Sequence, residues 1–126
     1  LKEGAHIGHG AVIHGATIGR NCLVGMNSVI MDNVQLGDEC IVGALSFIKE
    51  GEVFEPRSLI VGNPAKKIKE VSDEMVGWKT KGTQLYQSLP NEMMNEWEAC
   101  EPLREIPADR PEQEKLYENW KKLKKE

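Results

Sequence analysis

The first 55 residues of this 126-residue chain hold no proline, and the first 77 hold no tryptophan or tyrosine. All six prolines lie beyond residue 55. The absence divides the chain into two segments built by different rules. Other absences restrict function. There is no excess of positive charge: the net charge is −4, which argues against a nucleic-acid or membrane-surface role. No apolar run approaches the roughly 20 residues that a membrane-spanning helix needs. No basic-then-apolar stretch of a secretory signal is present. Cysteine is scarce and odd in number, with Cys22, Cys40 and Cys100. An odd count without such a signal fits a reducing cytoplasm and does not suggest a disulfide framework. The length suits one compact domain.

What the first segment does contain is a beat. Aliphatic residues fall at Ile7, Ile13, Ile18, Val24, Ile30, Leu36, Val42 and Ile48. Every step is six residues except the five-residue step from Ile13 to Ile18. Glycine follows directly at Gly8, Gly19, Gly25, Gly37 and Gly43. A short side chain stands four places after most knobs: Ala11, Thr17, Cys22, Ser28, Val34, Cys40 and Ser46. A fixed period outranks local propensity, because it dictates the architecture. A hexad of this kind specifies a parallel β-helix, in which each hexad is a short strand and a turn, and three hexads close one triangular coil.

In that prism the aliphatic knob fills the interior and the short residue also faces inward, near a corner. The glycine is expected to relieve the backbone at the bend. Knobs eighteen residues apart should stack: Ile18 under Leu36, Val24 under Val42, and Ile30 under Ile48. Cys22 and Cys40 are also eighteen apart, which predicts two small core residues on successive coils and not a reactive pair. About seven hexads give little more than two coils. A free-standing solenoid needs more repeats and caps, so the expectation is a β-helix whose N-terminal coils are truncated, or whose open end another subunit covers. The β-helix is assigned to residues 1–61 and a turn plus C-terminal helical segment to 62–126.

In the second segment, Gly62, Asn63, Pro64 and Ala65 read as a turn that takes the chain off the prism. Ser72, Asp73 and Glu74 read as a helix start, with a capping side chain followed by acids near the positive helix end. Met75, Trp78, Leu85, Leu89, Met93 and Trp97 form an apolar stripe, and Pro90 is expected to divide the helix in two. Residues 112–125 read as a last helix with Leu116, Trp120 and Leu123 on one side and lysines at its end. The fold class is therefore all-β, a left-handed parallel β-helix, with C-terminal α-helices. Such helices pack along a prism, their own or a neighbour's, or serve as a partner-binding tail.

His6, His9 and His14 are the only histidines, and they lie within nine residues. Imidazole is the commonest metal-binding side chain. A zinc site takes three or four N, O or S ligands, with an open position if it is catalytic. Five residues apart across a prism corner, His9 and His14 are not placed to chelate one ion within one chain. They suit sites on two faces, or one site shared between neighbouring prisms. Otherwise they are surface residues at coil corners.

The stretch GAHIGHGAVIHGATIGRNCLVGMNSVIMDNVQLGDECIVGALSFIKEG, followed by GNPAKKIKEVSDEMVGWK, resembles the γ-class carbonic anhydrase-like family of hexapeptide-repeat proteins. Within it, the stretch is nearest the branch that holds phenylacetic acid degradation and carnitine operon proteins. The resemblance covers residues 4 to about 87. It rests on the H-x4-H pair in IGHGAVIHG and on GMNSVIMD. It implies a left-handed prism, a homotrimer, and a zinc, iron or cobalt site at each subunit interface. His14 resembles the ligand given by one subunit, and His9 the ligand given across the interface. The family's third histidine belongs to a segment that this sequence does not contain, and His6 does not match it. The implied substrate is a small molecule, CO2 or bicarbonate, or an acyl-CoA thioester. A hexapeptide-repeat acyltransferase and a non-catalytic trimeric binding module are the alternatives.

Overall fold

A computed structural model describes residues 1–110. The expected helix at 112–125 lies outside the described residues. Nine two-residue strands come first: β1 His6–Ile7, β2 Val12–Ile13, β3 Thr17–Ile18, β4 Leu23–Val24, β5 Val29–Ile30, β6 Gln35–Leu36, β7 Ile41–Val42, β8 Phe47–Ile48 and β9 Val53–Phe54. A longer pair follows, β10 Ser58–Gly62 and β11 Ala65–Glu70, and then helix α1, Asp73–Glu96. One face stacks β1, β4, β7 and β10, a second β2, β5 and β8, and a third β3, β6 and β9. All stacked pairs among these strands are parallel. These strands thus form a three-sided β-solenoid of three complete coils, where the hexad count gave little more than two. The beat continues through Phe54 and Ile60, and Ile60 pairs with Val42 as the start of a fourth coil.

The predicted columns are present. Ile18 pairs with Leu36, Val24 with Val42, and Ile30 with Ile48. These knobs are all buried, and Ile7, Ile13 and Phe54 close the ends of the core half-buried. Each buried aliphatic side chain contributes roughly 1.5–3 kcal/mol. Cys22 and Cys40 are buried free thiols, as expected. The inward polar residues are all satisfied at the corners. Ser28 and Ser46 both donate to the Gly43 carbonyl, at 2.9 and 2.7 Å, and Cys22 donates to the Gly37 carbonyl at 3.1 Å. Cys40 and Ser58 share the Glu55 carbonyl.

Two parts of the hexad reading are corrected. Thr17 does not face inward; it is exposed, and Ala16 packs against the core in its place. The short inward residue is fixed two places before the following knob, so the five-residue step to Ile18 brings Ala16 into the corner and turns Thr17 outward by strand alternation. The glycines after the knobs do not serve unusual dihedrals. Their role is close stacking: a Cβ on Gly8 would fall 2.7 Å from the Met26 amide nitrogen, and one on Gly19 2.5 Å from the Gly37 carbonyl oxygen. Positive φ occurs on a separate beat: Gly4, Gly10, Gly15, Asn21, Asn27, Asn33, Glu39, Leu45, Gly51 and Arg57. Glycine and asparagine dominate that series because they adopt the left-handed region at least cost.

After the last coil, the turn at 62–65 folds β11 back against β10 as an antiparallel strand, an element that sequence reading missed. Ser72 caps α1, its hydroxyl accepting from the Met75 amide. Arg57 bridges the last coil to this start, donating to Glu39 at 2.7 Å and to Asp73 at 2.6 Å. Residues 1–83 form one compact unit, and a second begins at Gln84. Helix α1 runs unbroken through Pro90, contrary to expectation. Proline withholds its amide donor and its ring crowds the carbonyl four residues earlier, a cost that this helix carries without ending there. Of the proposed stripe, Met75 is buried, Trp78, Leu85 and Leu89 are half-buried, and Trp97 lies past the helix end and is exposed.

Lys79 fixes the first turns of α1 to the first coil. Its ammonium donates to the Gly4 carbonyl and to Asn21 Oδ1, and Asn21 Nδ2 donates to the Thr80 hydroxyl at 2.9 Å. Burial pushes the Lys79 amine down to about 8. An unfolded lysine titrates near about 10.4. Between these values the unfolded chain holds a proton that the folded chain has released, so stability rises with pH across that window. Below about pH 8 the cost of the buried charge is fully expressed. Chemical denaturation at pH 7.5 and 10 should show the higher midpoint at pH 10, and Lys79→Met should remove that difference. An equal rise in the variant would assign it to other groups.

Candidate functional site

The exposed chemistry gathers around the second face. His9 is exposed in the turn that leads into β2, and its carbonyl accepts from the Asn27 amide at 2.9 Å. His14 follows β2 directly, and its amide donates to the Ile30 carbonyl of the coil above at 2.9 Å. The two histidines therefore sit at opposite ends of β2 and flank one face; the expected straddling of a corner is corrected. The reason is the short repeat: two strand residues and their flanks span a whole face. The outward residues between them are apolar. Val12 pairs with Val29, and Val29 with Phe47, as one column, with Val12 50% exposed. Met26 and Leu45 are exposed on the corner beside His9.

His14 has a partner. Its Nδ1 lies 2.8 Å from Asp32 Oδ2. The side chain of His14 is 68% exposed and that of Asp32 40%, so the pair stands at the surface. Asp32 lies eighteen residues after His14, one coil up. It belongs to the GMNSVIMD stretch, and sequence reading gave it no role. The available signal was the repeat itself, since the same spacing pairs Arg20 with Asp38 and Glu39 with Arg57.

His6 sits apart, in β1 opposite Leu23, half-buried, with Nδ1 3.4 Å from the Thr83 hydroxyl. Burial first, then Lys79 and His9, push its imidazole below the usual histidine range. Among the described residues, no group of three or more His, Cys, Asp or Glu side chains is placed to hold a metal ion. The donors fit a zinc-like ion in kind, and His14 carries the carboxylate partner usual for metal-ligating histidines. Within one chain they do not fit in number.

Residues 15–50 match the bacterial transferase hexapeptide (six repeats) family, over the same coils whose register the structure displays. This chain is a hexapeptide-repeat protein. Its coils are those of a left-handed parallel β-helix, with one C-terminal helix among the described residues. It is similar to the carnitine operon protein CaiE of Escherichia coli, with 47% identity over 88% of this chain and 57% of CaiE. The CaiE of Salmonella agona is 45% identical over 88% of this chain and 56% of that protein. The chain thus spans little more than half the length of these relatives. Among solved structures, it resembles a Bacillus cereus protein thought to be an acetyltransferase, with a TM-score of 0.58 and 30% identity over 71% of this chain and 56% of that one. A hexapeptide transferase family protein from Anaplasma phagocytophilum gives a TM-score of 0.57 at 25% identity, over 71% of this chain and 66% of that one. No helix of the described residues is long and apolar enough to cross a membrane.

Proposed function

We propose that this chain works as a homotrimer, in which His14 of one protomer and His9 of the next hold a divalent metal. The site would serve γ-carbonic anhydrase-like chemistry: hydration of CO2 or hydrolysis of an acyl-CoA thioester. The observation that carries the proposal is the placement of His9 and His14 at the two ends of β2. Each histidine is half of a site, at an edge of an outward apolar column. Similarity to CaiE supports the branch.

The roles of the chain's own residues follow from their positions. His14 would hold the ion through Nε2, because Asp32 engages Nδ1. Val12, Val29 and Phe47, packed against a neighbouring prism, would exclude water from the ground between the two histidines and strengthen electrostatic contacts there. A zinc-like ion, when bound, supplies Lewis acidity and a nucleophilic water at neutral pH. A second reading, an acyl-CoA transferase, draws on the likeness to the Bacillus cereus protein. An acyl transfer assay with amine and hydroxyl acceptors separates the two.

The test is the metal content of the zinc-loaded, gel-filtered oligomer, measured by elemental mass spectrometry. The expected result is about one ion per protomer in a trimer. An intact trimer without metal would sink the proposal, and so would a monomer at micromolar concentration.

A further inference from the structure

We infer that Asp32 is the positioning residue of His14: it selects the imidazole tautomer protonated on Nδ1 and so reserves Nε2 for a ligand. This rests on the metal reading above. A neutral imidazole has one donor and one acceptor nitrogen, and its hydrogen-bond partner decides which is which. A carboxylate can only accept, so Nδ1 at 2.8 Å from Asp32 Oδ2 must carry the proton. The lone pair is then on Nε2.

Three features of the chain build this arrangement. The His14 amide is bonded to the Ile30 carbonyl at 2.9 Å, which fixes His14 two residues from Asp32 in the coil above. Asn33 donates its amide to the Gly15 carbonyl at 3.0 Å, which ties the backbone beyond Asp32 to the backbone beyond His14. Gly15 supplies the space: a Cβ there would overlap Asp32 Oδ1, and the residue has a φ of +64°. A side chain at this position would meet both a strained dihedral and the tip of the carboxylate that leans over it. The neighbouring column at Arg20 and Asp38 also carries a cross-coil pair, but there a guanidinium donates to the carboxylate and no ligating atom is left free.

The experiment reads the tautomer directly. Long-range proton–nitrogen correlation spectra of 15N-labelled protein, recorded in chelator at alkaline pH, distinguish the two imidazole forms. Wild-type His14 should show the Nδ1–H form. Asp32→Ala should shift it toward the Nε2–H form that free imidazole side chains prefer. Asp32→Asn, which keeps an acceptor oxygen, should retain much of the wild-type pattern. A purely structural role for Asp32 would change stability and leave the tautomer alone. In parallel, the zinc affinity of the trimer should fall about 10–100-fold in Asp32→Ala. A wild-type His14 in the Nε2–H form overturns the inference, as does an Asp32→Ala protein with wild-type tautomer and zinc affinity. If the tautomer responds as stated but the wild-type trimer binds no zinc, the control of His14 by Asp32 stands and the metal reading falls.

Discussion

Val24→Asp is expected to leave no cooperatively folded protein. Val24 is fully buried, and in its column it is stacked between Ile7 below and Val42 above. An aspartate there would put a carboxylate among aliphatic side chains of the core. Leaving a polar group buried and unpaired costs several kcal/mol, and an ionised one costs more. A chain of this size is stable by only about 5–15 kcal/mol. A solenoid magnifies the damage, because each coil is held only by its neighbours. The circular dichroism melt of Val24→Asp should show no cooperative transition. Thr17→Asp, one residue before a knob and exposed, should melt within about 0.5 kcal/mol of wild type. A soluble, cooperative Val24→Asp protein would mean that the inward register is wrong.

That register was legible because it is a property of spacing and does not depend on local propensity. Two-residue strands give propensity little to act on, whereas knobs six residues apart define inward positions one by one. The same clarity failed where the spacing slipped. At Ile13 to Ile18 a rule counted forward from the knob chose Thr17, whereas the backbone counts back from the next knob and chooses Ala16. The glycines misled for a different reason. Glycine marks either a positive φ or a close approach, and the letter alone does not say which. Only the stacking geometry shows that Gly8 and Gly19 lie under the next coil's backbone, and that Asn21, Asn27 and Asn33 take the left-handed turns.

The candidate site was half legible. His9 and His14 stood out by residue type and by the H-x4-H interval. Asp32 did not, because a lone aspartate at a turn is common and its meaning depends on a contact one coil away. The relation is nevertheless arithmetic: from His14 onward the cross-coil partner of an outward residue is found eighteen places on, whereas before the five-residue step the offset is seventeen, as in Val12 with Val29. Applied to the charged residues, this rule also finds Arg20 with Asp38 and Glu39 with Arg57. The β11 strand and the unbroken α1 were not legible by such a rule, because after residue 60 the period ends and tertiary packing decides.

Co-expression of His9→Ala with His14→Ala is expected to restore metal binding that neither variant has alone. Each single variant removes one half of every interfacial site, so a pure trimer of either should lose essentially all zinc. In a mixed trimer the protomers meet head to tail around a cyclic axis. Of the three interfaces in such a trimer, one joins a chain that keeps His14 to a chain that keeps His9, and that site alone is whole. Random mixing in equal amounts should therefore recover roughly one quarter of the wild-type zinc, and a sample selected through two different affinity tags roughly one third. The readout is zinc per trimer by elemental mass spectrometry. The outcome discriminates between architectures as well as between ligand sets. A site built within one chain would show no recovery on mixing, and a site that does not use His9 would leave His9→Ala at full occupancy. Because β2 separates the two histidines, only a shared site predicts both the loss and the fractional return.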